Sequence, residues 1–140
     1  MQYKQSGDML VIRLGPGENV NESLLAALAA CGVKQGIVLS GIGQFRDVKL
    51  GFLHLGSGYA YRTFPGVGEL LSMVGNVSQK DGETMLHLHV VLARDDFSVF
   101  GGHFTEGFVT ATLEVAVQAV GADVVMERRP EAGMMGLYIS

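Results

Sequence analysis

Three of the four histidines lie within residues 85–104. His87 and His89 are two residues apart in MLHLHVVLA, and on a β-strand this spacing puts both imidazoles on one face with their Cα atoms about 6.5 to 7 Å apart. His103 follows in GGHF, on what we expect to be the next strand. Three neutral imidazoles with one open coordination position are the ligand set of many catalytic zinc sites. The sequence therefore predicts a zinc site at His87, His89 and His103.

Other interpretations of these residues stay open at this point. The histidines are alternatively half-exposed strand residues that pack or hydrogen-bond at a subunit contact. Glu106, three residues after His103, is a candidate fourth ligand, an acceptor for a ligand's N–H, or a general base; the alternative is a solvated carboxylate at the end of a strand. His54 either lines the same pocket or has a structural role. Glu69 is predicted to begin a strand, and the alternative is a polar contact near the site.

The hydrophobic pattern indicates how the chain positions the histidines. Apolar residues alternate with His87 and His89, so we expect the opposite face of this strand to lie in the core. The apolar residues on that face are Leu86, Leu88, Val90 and Leu92. Asp95-Asp96 is predicted to turn the chain, which would bring His103 back beside the pair.

The rest of the pattern predicts one helix and many strands. The helix is expected at about residues 21–31, because Asn19 and Glu22 have capping-box spacing and Gly32 suits a helix end. Strands are predicted at residues 9–14, 36–40, 48–55, 59–64, 70–77, 84–93, 97–100, 108–120 and 124–127, with an edge strand at 136–139 and a turn in GIGQFRD. We predict a single α+β domain over residues 1–140, with one main helix packed on a mixed, largely antiparallel β-sheet.

Composition excludes several classes of function. The 140 residues carry a net charge of −4, whereas a typical nucleic-acid-binding protein is basic. Arg128-Arg129-Pro130 lies between Glu127 and Glu131 and is predicted to be a solvated turn. Gly41-Ile42-Gly43 lacks the remainder of a phosphate-binding loop. One cysteine and no long apolar segment predict a cytoplasmic protein without a membrane partner.

Several sequence blocks occur in an order that resembles a known family. GIVLSGIG, GELLSMVGNVS, HLHVVLA, GGHF and EGFVTATLEV are similar to the PPC domain, which is conserved in plants and prokaryotes, over residues 3–126. The resemblance implies a homotrimer with one main helix against a mixed sheet. In plants the domain accompanies AT-hook DNA-binding motifs and mediates assembly and partner contacts, whereas this chain has no Arg-Gly-Arg-Pro. Prokaryotic members with HxH and GGH look like metal-containing trimers.

Two functions are compatible with these residues and this resemblance. The first is a homotrimeric, metal-containing module with a DNA-associated or regulatory role and a DNA or protein partner. The second is a zinc-dependent enzyme that acts on a small molecule through an open three-His site, with Glu106 as the candidate base. A small-molecule pocket around the metal would favour the second. Scattered basic residues and a trimer charge of −12, three times −4, predict weak or no sequence-specific DNA binding.

Overall fold

The computed structural model describes residues 1–140. It contains eight β-strands and one α-helix, in the order β1 (Gln2–Ser6), β2 (Met9–Leu14), α1 (Val20–Ala30), β3 (Gly36–His54), β4 (Gly58–Lys80), β5 (Glu83–Ala93), β6 (Val99–Ala119), β7 (Met126–Glu131) and β8 (Met134–Ile139). Strands hold 70% of the residues and helix 8%. The predicted α+β class, with one main helix packed on the sheet, is therefore wrong, because the protein is mostly β.

The helix is correctly located but contributes less to the core than the prediction assumed. Asn19 caps α1, since its side chain accepts a hydrogen bond of 3.2 Å from the backbone N–H of Glu22, and Gly32 follows the helix with φ +66°. Of the 23 residues in the hydrophobic core, α1 supplies only four, which are Val20, Leu24, Ala27 and Leu28. Most of the remaining core residues lie on strands, so the core is formed mainly by strands of the sheet packing against one another.

The sheet closes on itself through its four longest strands. β3 pairs with β4 and β6, and β5 also pairs with both, so these four strands form a ring. All pairings are antiparallel except a single parallel bridge between Gln79 in β4 and Glu127 in β7. β2 and β1 extend the sheet beyond β6, and β7 and β8 extend it beyond β4. The ring gives each of its strands a buried inner face and an outer face.

The strands of the ring are longer than predicted because glycines that suggested turns permit close packing instead. β3 continues through GIGQFRD, where a turn was predicted. A Cβ on Gly43 would overlap the carbonyl oxygen of Thr112, and a Cβ on Gly41 would lie 2.8 Å from that of Met73. The strand bends at register irregularities, one of them beside Asp47, which has φ +54°. The chain therefore curves around the ring without leaving the sheet.

The inner face of the ring forms a dry core, and the outer face is also rich in apolar residues. Phe45 and Phe104 pack inside with ring centroids 5.7 Å apart. Exposed apolar residues on neighbouring strands form what we call the outer patch, made of Ile37, Leu39, Ile42, Leu71, Val74 and Val91. The one helix, α1, is too short and not apolar enough to cross a membrane.

Candidate metal centre

β5 places two of the histidines on the outer face of the ring. Leu88, Val90 and Leu92 on this strand are buried, as the alternation predicts. Because successive side chains of a strand point to opposite faces, His87 and His89 lie on the outer face. His89 is exposed and His87 is half-buried.

The turn at Asp95-Asp96 brings the third histidine into the same group. It connects β5 to β6, and His89 and His103 lie directly opposite each other in the antiparallel register. The imidazole centroids are separated by 5.0 Å for His87 and His89, 4.9 Å for His87 and His103, and 5.6 Å for His89 and His103. One nitrogen from each ring lies within 4.8 Å of the other two. The predicted convergence is confirmed, and the group can hold one metal ion.

The electrostatic environment keeps His87 and His103 in the neutral form that binds metals. Burial, the positive charge of Arg128 and the neighbouring histidines together lower the pKa of His87 to about 4. Burial, followed by the charges of His89 and Arg128, also lowers the pKa of His103. Metal ligation requires neutral imidazole. In addition, Nδ1 of His103 is buried without a hydrogen-bond partner, so the donor set fits a metal ion.

Arg128 approaches the cluster from β7 and was not predicted there. Its guanidinium donates hydrogen bonds to Nδ1 of His87 (2.7 Å), Oδ1 of Asn76 (2.7 Å), Oγ of Ser78 (3.3 Å) and the carbonyl oxygen of Met135 (3.1 Å). Its residue surface is only 8% exposed, and burial lowers the pKa of the guanidinium.

The predicted solvated turn at Arg128-Arg129-Pro130 is therefore wrong. These residues lie in β7, where strand alternation buries Arg128 against the histidine cluster and leaves Arg129 exposed to solvent. Arg129 forms an exposed ion pair with Glu127 at 2.7 Å, so this glutamate pairs with Arg129 and not with Arg128. Met126, two residues before Arg128, is also buried, and this two-residue spacing is the signal that could have identified the inward face.

Two further features shape the site and were missed in the sequence. Tyr59 and Tyr61 line a cavity of about 260 Å³ together with His87, His103 and Arg128. The ring of Tyr59 lies 5.1 Å from that of His103. Gly51 is opposite His103 in β6, and a Cβ there would lie 3.0 Å from the Tyr59 ring, 3.1 Å from the Tyr61 ring and 3.4 Å from the His103 ring. Gly51 thus leaves room for the three rings to meet.

The remaining candidate residues lie outside the cluster. Glu106 is exposed on β6, opposite Lys49 in the register, and the group of potential metal ligands consists of the three histidines. Its role as a base stays a prediction. His54 is exposed at the end of β3, 5.0 Å from the Phe52 ring. Glu69 accepts a hydrogen bond of 3.0 Å from Gln44 on the neighbouring strand.

Solved structures with the same fold include proteins from bacteria and archaea. A PPC protein from Pyrococcus horikoshii is 29% identical, with a TM-score of 0.85 over 98% of this chain and 94% of that chain. A metal-containing protein from Archaeoglobus fulgidus is 25% identical, with a TM-score of 0.83 over 99% of both chains. A candidate DNA-binding protein from Bacteroides thetaiotaomicron is 22% identical, with a TM-score of 0.89 over 99% of this chain and 96% of that chain, and shows the fold alone.

Family membership rests on a match to the sequence itself. Comparison with curated proteins finds no match. A model of the Plants and Prokaryotes Conserved (PCC) domain matches residues 1–121, which confirms the resemblance to the PPC domain. This chain therefore belongs to the Plants and Prokaryotes Conserved domain family.

Proposed function

We propose that this chain is a homotrimeric, zinc-containing module with a regulatory role, in which any association with DNA runs through a protein partner. The observation that carries the proposal is the convergence of His87, His89 and His103 on the outer face of the ring. The name of the Archaeoglobus fulgidus relative, a metal-containing protein, supports a metal in this family.

The chemistry of the ligands favours zinc among the common metals. Imidazole nitrogen is a preferred donor for zinc, and calcium and magnesium instead require oxygen ligands. Three histidines leave one coordination position open, and no cysteine lies in the group. We expect His87, His89 and His103 to hold the ion, with Arg128 and Asn76 fixing the position of His87 before it binds.

Metal analysis of untagged protein, together with its mass in solution, tests the zinc proposal. About one zinc per chain is expected. His89→Ala should remove the zinc and leave the fold intact, because His89 is exposed and the substitution keeps its backbone pairing with the neighbouring strands. The matched control is His54→Ala, which removes an exposed histidine outside the cluster. Full zinc occupancy in His89→Ala would contradict the proposal, as would equal loss in both variants.

The outer patch supports the proposed assembly. Apolar residues on the outer faces of β3, β4 and β5 remain exposed in one chain, and large exposed apolar areas mark interaction surfaces. Val74 lies directly opposite His89 in the register, so a subunit that covers the patch also borders the metal cluster. Assembly and metal binding would therefore share one surface.

A charge in the outer patch should prevent assembly. Val74→Glu would bury an unpaired carboxylate at the contact, which costs far more than an apolar contact gains. The expected result is a monomer by light scattering, with unchanged circular dichroism. Val11→Glu is the control, because Val11 is equally apolar and exposed but lies on β2, outside the ring. A trimer that persists in Val74→Glu and is lost in Val11→Glu would place the contact elsewhere.

A second candidate function is a zinc-dependent enzyme that acts on a small molecule. The observation that favours it is the cavity of about 260 Å³ next to the histidines. Zinc with an open coordination position supplies Lewis-acid chemistry when bound. The chain's own contribution would be orientation: Arg128 and Tyr59 line the cavity beside His103 and can position a polar substrate. Turnover of a screened substrate that His89→Ala abolishes would favour this alternative.

A further inference from the structure

Arg128 is a buried cation without an anionic partner. All four groups that accept hydrogen bonds from its guanidinium are uncharged: a hydroxyl, an amide oxygen, a backbone carbonyl and an imidazole. No carboxylate lies within ion-pair distance of it, and the nearby Glu127 is paired with Arg129. Buried charges in proteins are normally paired or bound to a ligand. An anion from outside this chain's own fold would supply the counter-charge that Arg128 lacks.

The cavity beside Arg128 provides a place for that anion. Arg128, His87 and His103 line it together with Tyr59 and Tyr61. The two tyrosine rings are stacked, with centroids 5.7 Å apart and planes 20° apart. Met85 and Met135 complete the lining. The cavity thus combines a positively charged end with aromatic and apolar walls.

Metal binding by His87 would release an N–H donor of Arg128 into this cavity. A neutral imidazole has only one nitrogen with a free lone pair, and Arg128 donates to Nδ1 of His87 at 2.7 Å. If His87 binds a metal through either nitrogen, this hydrogen bond must break, because the lone pair is used by the metal or Nδ1 carries the proton. One guanidinium N–H is then free beside a second positive charge.

We propose that Arg128 and the metal cluster form a binding site for a small organic carboxylate with a planar, aromatic body. The inference rests on the proposed zinc site. The freed guanidinium N–H can donate a charge-assisted hydrogen bond to a carboxylate oxygen, and the bound ion adds a second attraction for negative charge. Tyr59 and Tyr61 offer flat faces against which the body of the ligand packs. The cavity volume of about 260 Å³ is large enough for a single-ring acid.

Titration calorimetry of the zinc-loaded protein with benzoate tests the site, with inorganic phosphate and benzyl alcohol as comparison ligands. Benzoate is expected to bind. Benzyl alcohol should bind at least about tenfold more weakly than benzoate, because it lacks the charge. Phosphate should also bind more weakly than benzoate, because it has no ring that packs against the tyrosines. Arg128→Gln should weaken benzoate at least about tenfold. Arg129→Gln is the matched control, since Arg129 is the exposed neighbour, and should bind as the original protein does.

The outcomes separate this inference from the zinc proposal. Zinc content is measured on the same samples: protein that takes up no zinc overturns both, and protein that binds zinc but not benzoate overturns only the carboxylate site. If Arg128→Gln does not fold, Arg128→Lys keeps the charge but not the planar guanidinium, which bonds Ser78, Met135 and Asn76 while one N–H faces the ligand. This variant should still lose affinity. If Arg128→Gln leaves benzoate binding unchanged but dissociates the oligomer, the counter-ion is a carboxylate of a second copy, and the inference is wrong.

Discussion

The two faces of β5 have opposite physical characters. On the inner face, Leu88, Val90 and Leu92 are at most 2% exposed and have no polar atoms to satisfy. On the outer face, His87 and His89 stand beside a buried cation and an orphaned imidazole nitrogen. Apolar burial stabilises a fold in proportion to the area removed from water, whereas a buried charge without a counter-ion stabilises little or nothing.

This difference assigns different roles to the two faces. Substitutions on the inner face should act on stability first and on ligands only through unfolding. Substitutions on the outer face should act on metal, ligand or assembly and leave the fold intact. The two roles can be compared within a single strand, because β5, eleven residues long, supplies both faces.

The largest effect is expected for Leu88→Ala on the inner face. Leu88 is 1% exposed, and leucine-to-alanine changes in a packed core cost about 2 to 5 kcal/mol of unfolding free energy. His89→Ala, the next residue and on the outer face, should change the stability of the metal-free protein by about 1 kcal/mol or less. Denaturant unfolding of both variants measures this. Equal losses would show that the two faces do not differ in role.

A smaller effect, on zinc affinity, is expected on the outer face at Gly51, where a side chain would fill space that the site needs. Gly51→Ala would place a methyl group 3.0 and 3.1 Å from the Tyr59 and Tyr61 rings. Displacement of Tyr59 would then move the His103 ring, whose centroid lies 5.1 Å from that of Tyr59. Zinc affinity should fall about tenfold, within the range found when residues that support metal ligands are changed. Gly15→Ala is the control, because a Cβ there meets only Oε2 of Glu18 at an ordinary 3.6 Å. Competition with a chromogenic chelator measures both affinities, and unchanged affinity in Gly51→Ala would contradict the role of Gly51.

The sequence predicted the local features of the site but not its surroundings. Alternation in HLHVVL and the turn at Asp95-Asp96 depend on neighbouring residues, so the convergence of His87, His89 and His103 followed from spacing. Arg128 reaches His87 across 41 positions of sequence, and no local pattern encodes such a contact. The same holds for the closed ring, which depends on strand pairings between distant segments.

The errors in the predicted fold have a related cause. Glycine permits both turns and close backbone contact, and the pattern in GIGQFRD does not distinguish between them. Gly43 lies against the backbone of Thr112 in β6, a strand that a local pattern does not include. The contribution of the helix to the core was overestimated. A clear cap at Asn19 indicates that a helix is present, but it does not indicate how much of the core the helix supplies.

The smallest effect is expected for duplex DNA, because the chain carries more acidic than basic residues. Arg129 and Arg46 are paired with Glu127 and Asp47 at 2.7 and 2.6 Å. Arg62 and Arg94 lie over the aromatic rings of Phe64 and Phe100, 4.9 and 4.2 Å from the centroids. Ion pairs take up two of the ten basic residues, and the net charge of the chain is −4, so we expect it to neutralise few phosphates.

Gel shifts with unrelated duplexes across a salt series measure that prediction. Since affinity for DNA scales with the number of phosphates neutralised, we expect no sequence-specific shift at about 150 mM salt and a shallow dependence of any residual binding on salt. Tight, steeply salt-dependent binding would mean that assembly gathers the cations of several subunits into one surface. The outer face of the ring would then serve DNA directly rather than a protein partner.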